Sequence, residues 1–459
     1  MMATKDDNLP NILFLGLDSI SRLNFDRHFP MTAKLLAKHG FYTLYGYNKV
    51  ADNTFVNLTP LLTGHYLEDI WNETISKTVF LNYFPLIWKE YSNRGYNTLL
   101  LEDAPYMATF NYLKIGFNEK PTDYYLRPFS LAIEPDVHND CYLDKPEIEI
   151  YYDYVYDFVK AINERHQRYF GFTFLARLTH DHINSAGLAD SHVHRLLDKL
   201  FTDSLLANTV VVFFSDHGIR FGKIRETLSG KLEERMPFMH IYLPDELRNK
   251  YDKSMAINEN RLTTPFDIHS TLKHLITGKQ LLNSGSNGVK YGKTLLQEIP
   301  EDRSCQSIPI LEHWCSCQSS EPVADLNSVS FVSRFIVDSI NRLFATDFVD
   351  KCQPLTLRRT VSAYEQHLND KVLQFEQSLN DVMDRHVVYS RKRTKEHIRH
   401  YLITISVEPS GGLFEATVNV DTRSRHMQII GDISRINRYY NQSDCIDNQF
   451  VRRYCYCFQ

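Results

Sequence analysis

Four short stretches carry side chains able to do chemistry: Asp18 in LDSISR, Thr54 in NTFVNLTPLLTG, His180 and His182 in LTHDHIN, and Asp216-His217 in FFSDHG. Carboxylates combined with imidazole hold a divalent ion well while leaving a position open for substrate. Asp18, Asp216 and His217 are therefore expected to hold one such ion. Zinc or manganese suits this donor set best, with calcium or magnesium as the alternatives. An ion beside a hydroxyl lowers its pKa and makes an alkoxide available near neutral pH. Thr54 supplies that hydroxyl. It follows a loop and precedes a helix expected over Asn57–Leu62, close to helix-terminal N–H groups that favour an anion. Each fragment also has a plain structural reading. S-D-H-G is a common loop sequence, a threonine opening a helix more often caps it, and Asp18 could cap an element too. His180 and His182 could be satisfied polar residues at a strand end, and His192 and His194 read as surface or packing positions. Together, and in this order, the fragments point to one site.

The elements around them have to bring these residues to one place. NILFLGLD, residues 11–18, is a continuous apolar run ending in an acid, the pattern of a strand buried on both faces of a parallel sheet. Phe41–Tyr47, Tyr96–Leu101, Phe170–Leu175 and Thr209–Phe214 read as further strands. Met31–His39, Leu86–Ser92, Tyr151–Arg165 and Asp190–Leu206 read as helices between them. Strands alternating with helices imply βαβ units, hence an α/β fold with a mostly parallel sheet sandwiched by helices. In such sheets function gathers at the carboxyl ends of the strands. Asp18, Asp103, the His180–His182 segment and Asp216 all fall at such ends.

Composition shifts near residue 300. Residues 1–300 read as the catalytic domain, 301–330 as a cysteine-containing linker rich in Pro and Ser, and 331–459 as a smaller, cysteine-rich α+β subdomain. In that subdomain, Phe331–Ala345 and Ala363–Met383 have helical periodicity. The alternation through Tyr401–Val407 and Phe414–Val420, broken at Pro409-Ser410-Gly411-Gly412, predicts a β-hairpin. The basic run Arg391–Arg399 reads as a solvated helix or loop start, with an anionic glycan or lipid surface as the alternative.

The chain has 459 residues, 43% of them hydrophobic, enough apolar mass for a large core, so disorder is excluded. Its net charge of −5 argues against a nucleic-acid-coating role. No apolar run approaches the ~18 residues of a membrane span, and the polar, acidic Met1–Pro10 does not read as a signal peptide. Seven of the eight cysteines fall at or after Cys305, leaving Cys141 alone earlier. An even, clustered set suits a disulfide framework in an oxidising compartment, although a zinc site or reduced thiols would use the same residues. Sequons at Asn57, Asn72 and Asn441 are compatible with secretion. The expected location is therefore extracellular or the lumen of the secretory pathway.

Beyond spacing, the sequence resembles the alkaline phosphatase/sulfatase superfamily over roughly residues 10–300. TFVNLTPLLTG is similar to the nucleophile helix of nucleotide pyrophosphatase/phosphodiesterases and to the sulfatase signature. PMTAKLLAKHGFYTLYGYN and ADSHVHRLLDKLFTDSLLANTVVVFFSDHG resemble the sulfatase stretches before the nucleophile and before the metal loop. The S-D-H-G loop, Glu233-Glu234-Arg235-Met236-Pro237 and the segment from SRINRYYNQSDCI to YCYC resemble an animal sulfatase-like family, domain of unknown function 229, across essentially the whole chain.

The resemblance implies that Asp18, Thr54, Asp216 and His217 ligate one metal, with Thr54 also the nucleophile. It implies that Asn57 contacts a phosphoryl oxygen, and that His180, His182 and Lys231 bind substrate or, for a histidine, a second ion. Departures bear on the chemistry. Threonine cannot be oxidised to the formylglycine of sulfatases, and Asp18-Ser19 stands where sulfatases carry paired acids. Leu178 and Ala176 stand where a D-x-x-x-H would place the acid of a second metal site, so one ion is expected. Val56 replaces a proline of the phosphodiesterase motif. The expected function is a metal-dependent phosphodiester or phosphomonoester hydrolase or transferase acting through Thr54, on a substrate that includes glycan or lipid esters. The alternatives are a catalytically inactive ectodomain that binds glycan or lipid, and a sulfuric ester hydrolase.

Overall fold

The computed structural model describes residues 9–71, 78–278, 291–308, 310–368, 397–448 and 450–458. The chain forms two compact units, Met1–Ile219 with Glu233–Ile299, and Arg220–Leu232 with Pro300–Gln459.

The first unit is built on a seven-stranded sheet. Its strands are β1 (Asn11–Leu17), β2 (Tyr42–Thr43), β3 (Asn97–Glu102), β4 (Tyr124–Tyr125), β5 (Tyr169–Leu175), β6 (Thr209–Phe214) and β7 (Met239–Tyr242). Their spatial order is β2-β7-β6-β1-β5-β3-β4. All pairings from β6 through β4 are parallel, and β7 runs antiparallel to both its neighbours. The continuous apolar strands are explained by burial on both faces. Ile12 and Phe14 of β1 pack with helices α2 (Thr54–Thr63), α3 (Ile87–Ser92) and α6 (Pro265–Thr277) on one side. Leu13, Leu15 and Leu17 pack on the other with α4 (Glu147–Glu164) and α5 (Ala186–Thr202). Because side chains alternate along a strand, one apolar run feeds both cores. The preceding helix, α1 (Pro30–Lys38), covers the span read as Met31–His39 with its bounds shifted by one residue.

Phe41–Tyr47 is not one strand. Tyr42–Thr43 pairs with β7, whereas Gly46–Tyr47 leaves the sheet and pairs with Leu262–Thr263.

The second unit is an antiparallel sheet of five strands in sequential order: β8 (Gln318–Pro322), β9 (Thr356–Leu368), β10 (Ile398–Glu408), β11 (Leu413–Asp421) and β12 (Met427–Arg435). Val332, Ile336, Val337 and Ile340 of helix α7 (Ser330–Arg342) share its core with Ile403, Ile405, Ala416 and Val418. The hairpin formed by β10 and β11 matches the alternation read from sequence. The helix expected over Ala363–Met383 is corrected in its first part: Ala363–Leu368 continues β9, and residues 369–383 lie outside the described residues. Bulges at Leu357/Arg359 and Thr360/Ser362 break the two-residue alternation of β9, so its period was hidden. The expected linker 301–330 contains β8, a strand of this sheet. Three disulfides, Cys305–Cys315, Cys352–Cys455 and Cys445–Cys457, lie in this unit, while Cys141 and Cys317 are free.

Candidate active site

β1 ends where its backbone is anchored from the neighbouring strand. The Asp18 N–H donates to Leu175 O at 3.0 Å, and Thr179 Oγ1 donates to Asp18 O at 2.6 Å. Ser19 then adopts φ +65°, a conformation that strains a residue with a Cβ by roughly 1–3 kcal/mol. The turn aims Ser19 at both acids. Its N–H donates to Asp216 Oδ1 at 3.3 Å, and its hydroxyl donates to Asp18 Oδ1 at 2.7 Å. Ile20 N–H donates to Ser215 Oγ at 2.9 Å, tying the loop after β1 to the loop after β6.

The β6 run TVVVFF is wholly buried and delivers Ser215-Asp216-His217-Gly218 beside Asp18. Glycine is required at 218 by close backbone approach: an added Cβ would lie 2.4 Å from Glu233 O. His217 Nδ1 lies 2.9 Å from the Gly218 carbonyl, which fixes Nδ1 as the donor and leaves Nε2 with its lone pair. That Nε2 faces Asp216 Oδ2 at 3.2 Å, Asp18 Oδ1 at 3.8 Å and Thr54 Oγ1 at 3.3 Å.

Thr54 is the first residue of α2, whose apolar residues Phe55, Leu58, Leu61 and Leu62 are buried. The helix stops at Gly64, in the left-handed conformation at φ +73°, whose N–H donates to Pro60 O at 3.0 Å. Asn53, not Thr54, is the N-cap residue, so the threonine side chain is not used as a cap.

Asp18, Asp216 and His217 are buried, and their ligand-forming atoms lie within 4.8 Å of one another. Burial, and then the charge of Asp18, push the Asp216 carboxyl up to about 8, and the Thr54 hydroxyl and the Ser19 N–H offset only part of this. Asp216 Oδ2 is buried without a hydrogen-bond partner. A lone-pair nitrogen and two carboxylates converging in a dry site repel one another unless a cation lies between them. The donor set therefore fits a divalent metal, which Asp18, Asp216 and His217 would hold with the Thr54 hydroxyl as a fourth donor.

The segment Glu233–Pro237 braces both loops of the site. Glu233 accepts from Ser21 Oγ at 2.7 Å and pairs with Arg27 at 2.5 Å. Glu234 forms a fully buried ion pair with Lys49, whose Nζ also donates to Asp52 O at 2.9 Å, just before Thr54. Ser19, Lys49 and Glu234 were not singled out as site residues from sequence. The E-E-R-M-P segment was the available signal for Glu234, while nothing in the spacing marked Lys49.

Asn57 is 1% exposed, and its amide is committed to the loop ahead of α2. Oδ1 accepts from Val50 N–H at 2.9 Å and Ala51 N–H at 3.1 Å, and Nδ2 donates to Ala51 O at 2.9 Å and Asn53 O at 3.0 Å. All four hydrogen bonds are used, so Asn57 holds the loop rather than presenting an amide to substrate, and it is too buried to carry a glycan. Asn441 is exposed, and Asn72 lies outside the described residues. His180 and His182 lie on the turn after β5 and are not part of the group of ligand atoms that Asp18, Asp216 and His217 bring within 4.8 Å. His180 Nδ1 is 2.8 Å from Asp181 Oδ1, and His182 is exposed. Lys231 belongs to the second unit. It is fully buried there, 3.1 Å from Glu415 and 2.7 Å from Thr404 Oγ1, in an ion pair characteristic of a core rather than of a substrate contact.

The family model described as "Protein of unknown function (DUF229)" matches residues 1–361. No curated protein sequence matches the chain. Among solved structures, a protein in the alkaline phosphatase superfamily from Vibrio parahaemolyticus is similar at 9% identity and a TM-score of 0.46, covering 98% of this chain and 86% of that one. The lipoteichoic acid synthase LtaP from Listeria monocytogenes is similar at 13% identity and a TM-score of 0.43, covering 64% and 80%. The C-terminal periplasmic domain of EcEptC from Escherichia coli is similar at 15% identity and a TM-score of 0.36, covering 59% and 84%.

Proposed function

Since the chain belongs to the family of proteins of unknown function DUF229, whose description assigns no reaction, we propose its chemistry from its own site: a metal-dependent phosphoryl hydrolase or transferase with Thr54 as nucleophile. The observation that carries this reading is the Thr54 hydroxyl at 3.3 Å from His217 Nε2, at the start of a ten-residue helix and beside two buried carboxylates. A divalent ion bound by Asp18, Asp216 and His217 would supply the positive charge that lowers the Thr54 hydroxyl pKa and offsets charge growing on the phosphoryl oxygens. Thr54 Oγ1 forms a bond to phosphorus as the bond to the ester's alcohol oxygen breaks, and that oxygen leaves with a proton. Water or an acceptor hydroxyl then attacks the phosphothreonine and releases Thr54. Ser19 and Asn57 act through position, the first by orienting both acids and the second by holding the loop that delivers Thr54. Phosphate is favoured over sulfate because threonine cannot become formylglycine. Three disulfides support an extracellular or lumenal setting.

A panel of phosphomonoesters, phosphodiesters and sulfate esters, assayed with zinc or manganese, tests the reading. Turnover of a phosphate ester that disappears in Thr54→Ala supports it. Turnover of sulfate esters alone, or none in the wild type, overturns it.

A further inference from the structure

Three sulfurs gather in the second unit, just ahead of β8. The Cys305–Cys315 disulfide and the free, half-buried thiol of Cys317 place their sulfur atoms within 4.8 Å of one another. The Cys317 N–H also donates to Cys315 Sγ at 3.4 Å. The segment Cys315-Ser316-Cys317 is anchored at both ends. On one side, the ring of buried His313 has Nδ1 3.0 Å from Thr417 Oγ1 and Nε2 3.2 Å from Ser434 Oγ. On the other, Gln318 opens β8 and pairs with Leu368 of β9. The free thiol is thus kept beside the bond.

A thiolate next to a disulfide displaces one of its two sulfurs. Chain entropy does not oppose a change of partner. Cys305 and Cys315 are 10 residues apart, and a Cys305–Cys317 bond closes a loop only two residues longer, at nearly the same cost. Burial pushes the Cys317 thiol up, so thiolate is scarce at neutral pH and exchange is slow. Cys352, Cys445 and Cys455 also bring their sulfurs together, but there Cys352 is bonded to Cys455 and Cys445 to Cys457, which leaves no attacking thiol. Cys141, the other free thiol, belongs to the first unit.

We propose that Cys305, Cys315 and Cys317 form a thiol–disulfide exchange site in which Cys305 pairs with either of the other two. The Cys317 thiolate attacks Cys305 Sγ, so that the Cys305–Cys317 bond forms as the Cys305–Cys315 bond breaks. Cys315 leaves as a thiolate and takes up the proton that Cys317 gave up. Nothing is oxidised or reduced overall, and the reaction needs no partner beyond the chain itself.

The test uses the oxidised full chain without added reductant. The protein is held for hours in mildly alkaline buffer, the timescale of uncatalysed rearrangement. It is then quenched in acid, unfolded and capped with N-ethylmaleimide while still acidic, and its peptic peptides are read by mass spectrometry. Both Cys305–Cys315 and Cys305–Cys317 linkages should appear, with the cap on Cys317 in the first and on Cys315 in the second. Cys352–Cys455 and Cys445–Cys457 should be unchanged. Cys317→Ser should lose the cap on Cys315, and Cys315→Ser should show Cys305 bonded to Cys317. A Cys305–Cys315 linkage alone, with the cap only on Cys317, overturns the proposal. So does finding Cys305 and Cys317 both free in Cys315→Ser, or rearrangement that reaches the other two disulfides equally.

Discussion

Thr54 Oγ1 and His217 Nε2 stand 3.3 Å apart across 163 residues of sequence. The contact exists because the amino end of α2 and the carboxyl end of β6 reach the same edge of one sheet. The Lys49–Glu234 ion pair and the Asn57 amide fix the loop between them. A hydroxyl so placed does not cap α2, whose N-cap is Asn53, and is left for the nucleophilic role proposed above.

The two roles for Thr54 separate by mutation. Thr54→Ala should abolish phosphate-ester turnover while a thermal melt stays within about 1 kcal/mol of wild type, since a small residue replaces another at a helix start. Thr54→Ser should keep measurable activity, with the loss reflecting freer rotation about χ1. A structural cap would behave in the opposite way, losing ~0.5–2 kcal/mol with activity retained.

Metal and pH should be linked through Asp216. In the metal-free protein its carboxyl is held at about 8, against 3.8 unfolded. The folded state therefore keeps a proton that the unfolded state has lost between those values. Stability should fall as pH rises from about 4 to about 8, then level off. Asp103, also pushed up to about 8 by burial and by Glu147, contributes the same slope with or without metal. Melts of wild type and Asp216→Asn across this range isolate the first effect. The Asn variant should show the shallower slope, and manganese or zinc should raise the melting temperature of wild type only.

Much of this was legible in the sequence. The uninterrupted apolar strands gave the parallel sheet, because a strand buried on both faces needs no alternation. Asp18 and Asp216-His217 were visible because each follows such a run directly. The rest was set by contacts that leave no periodic trace. Asn57 reads as a polar residue on a helix, and only the path of residues 50–53 shows that its amide is consumed. Lys231 lies near the S-D-H-G loop in sequence but in the core of the second unit in space. Strand β9 escaped detection because two bulges shift its register and its apolar residues then fall at helical intervals.

Asn57→Ala should leave the N–H groups of Val50 and Ala51 without their acceptor, lowering stability by about 1–3 kcal/mol in urea melts. Activity should fall with it, because the loop delivers Thr54. Asn57→Asp keeps the acceptor for Val50 and Ala51 but turns an oxygen toward the carbonyls of Ala51 and Asn53, so it should recover only part of the stability at most. If Asn57 instead touches the phosphoryl group, Asn57→Ala would lose activity with an unchanged melt.

Lys231→Ala should destabilise the second unit by about 1–3 kcal/mol, because Glu415 loses one of its two buried cationic partners and keeps Arg225. A Lys231→Ala protein with a normal melt and a raised KM would return this residue to a substrate role.

The most direct measurement is to trap the covalent intermediate. The protein is incubated with a phosphate ester and manganese or zinc, quenched in acid, digested and read by mass spectrometry. The account predicts one phosphoryl group on the peptide containing Thr54, located at Thr54 by fragmentation and absent from Asp216→Asn. Turnover accompanied by an unmodified Thr54, or by a phosphoryl group on another residue, would contradict it.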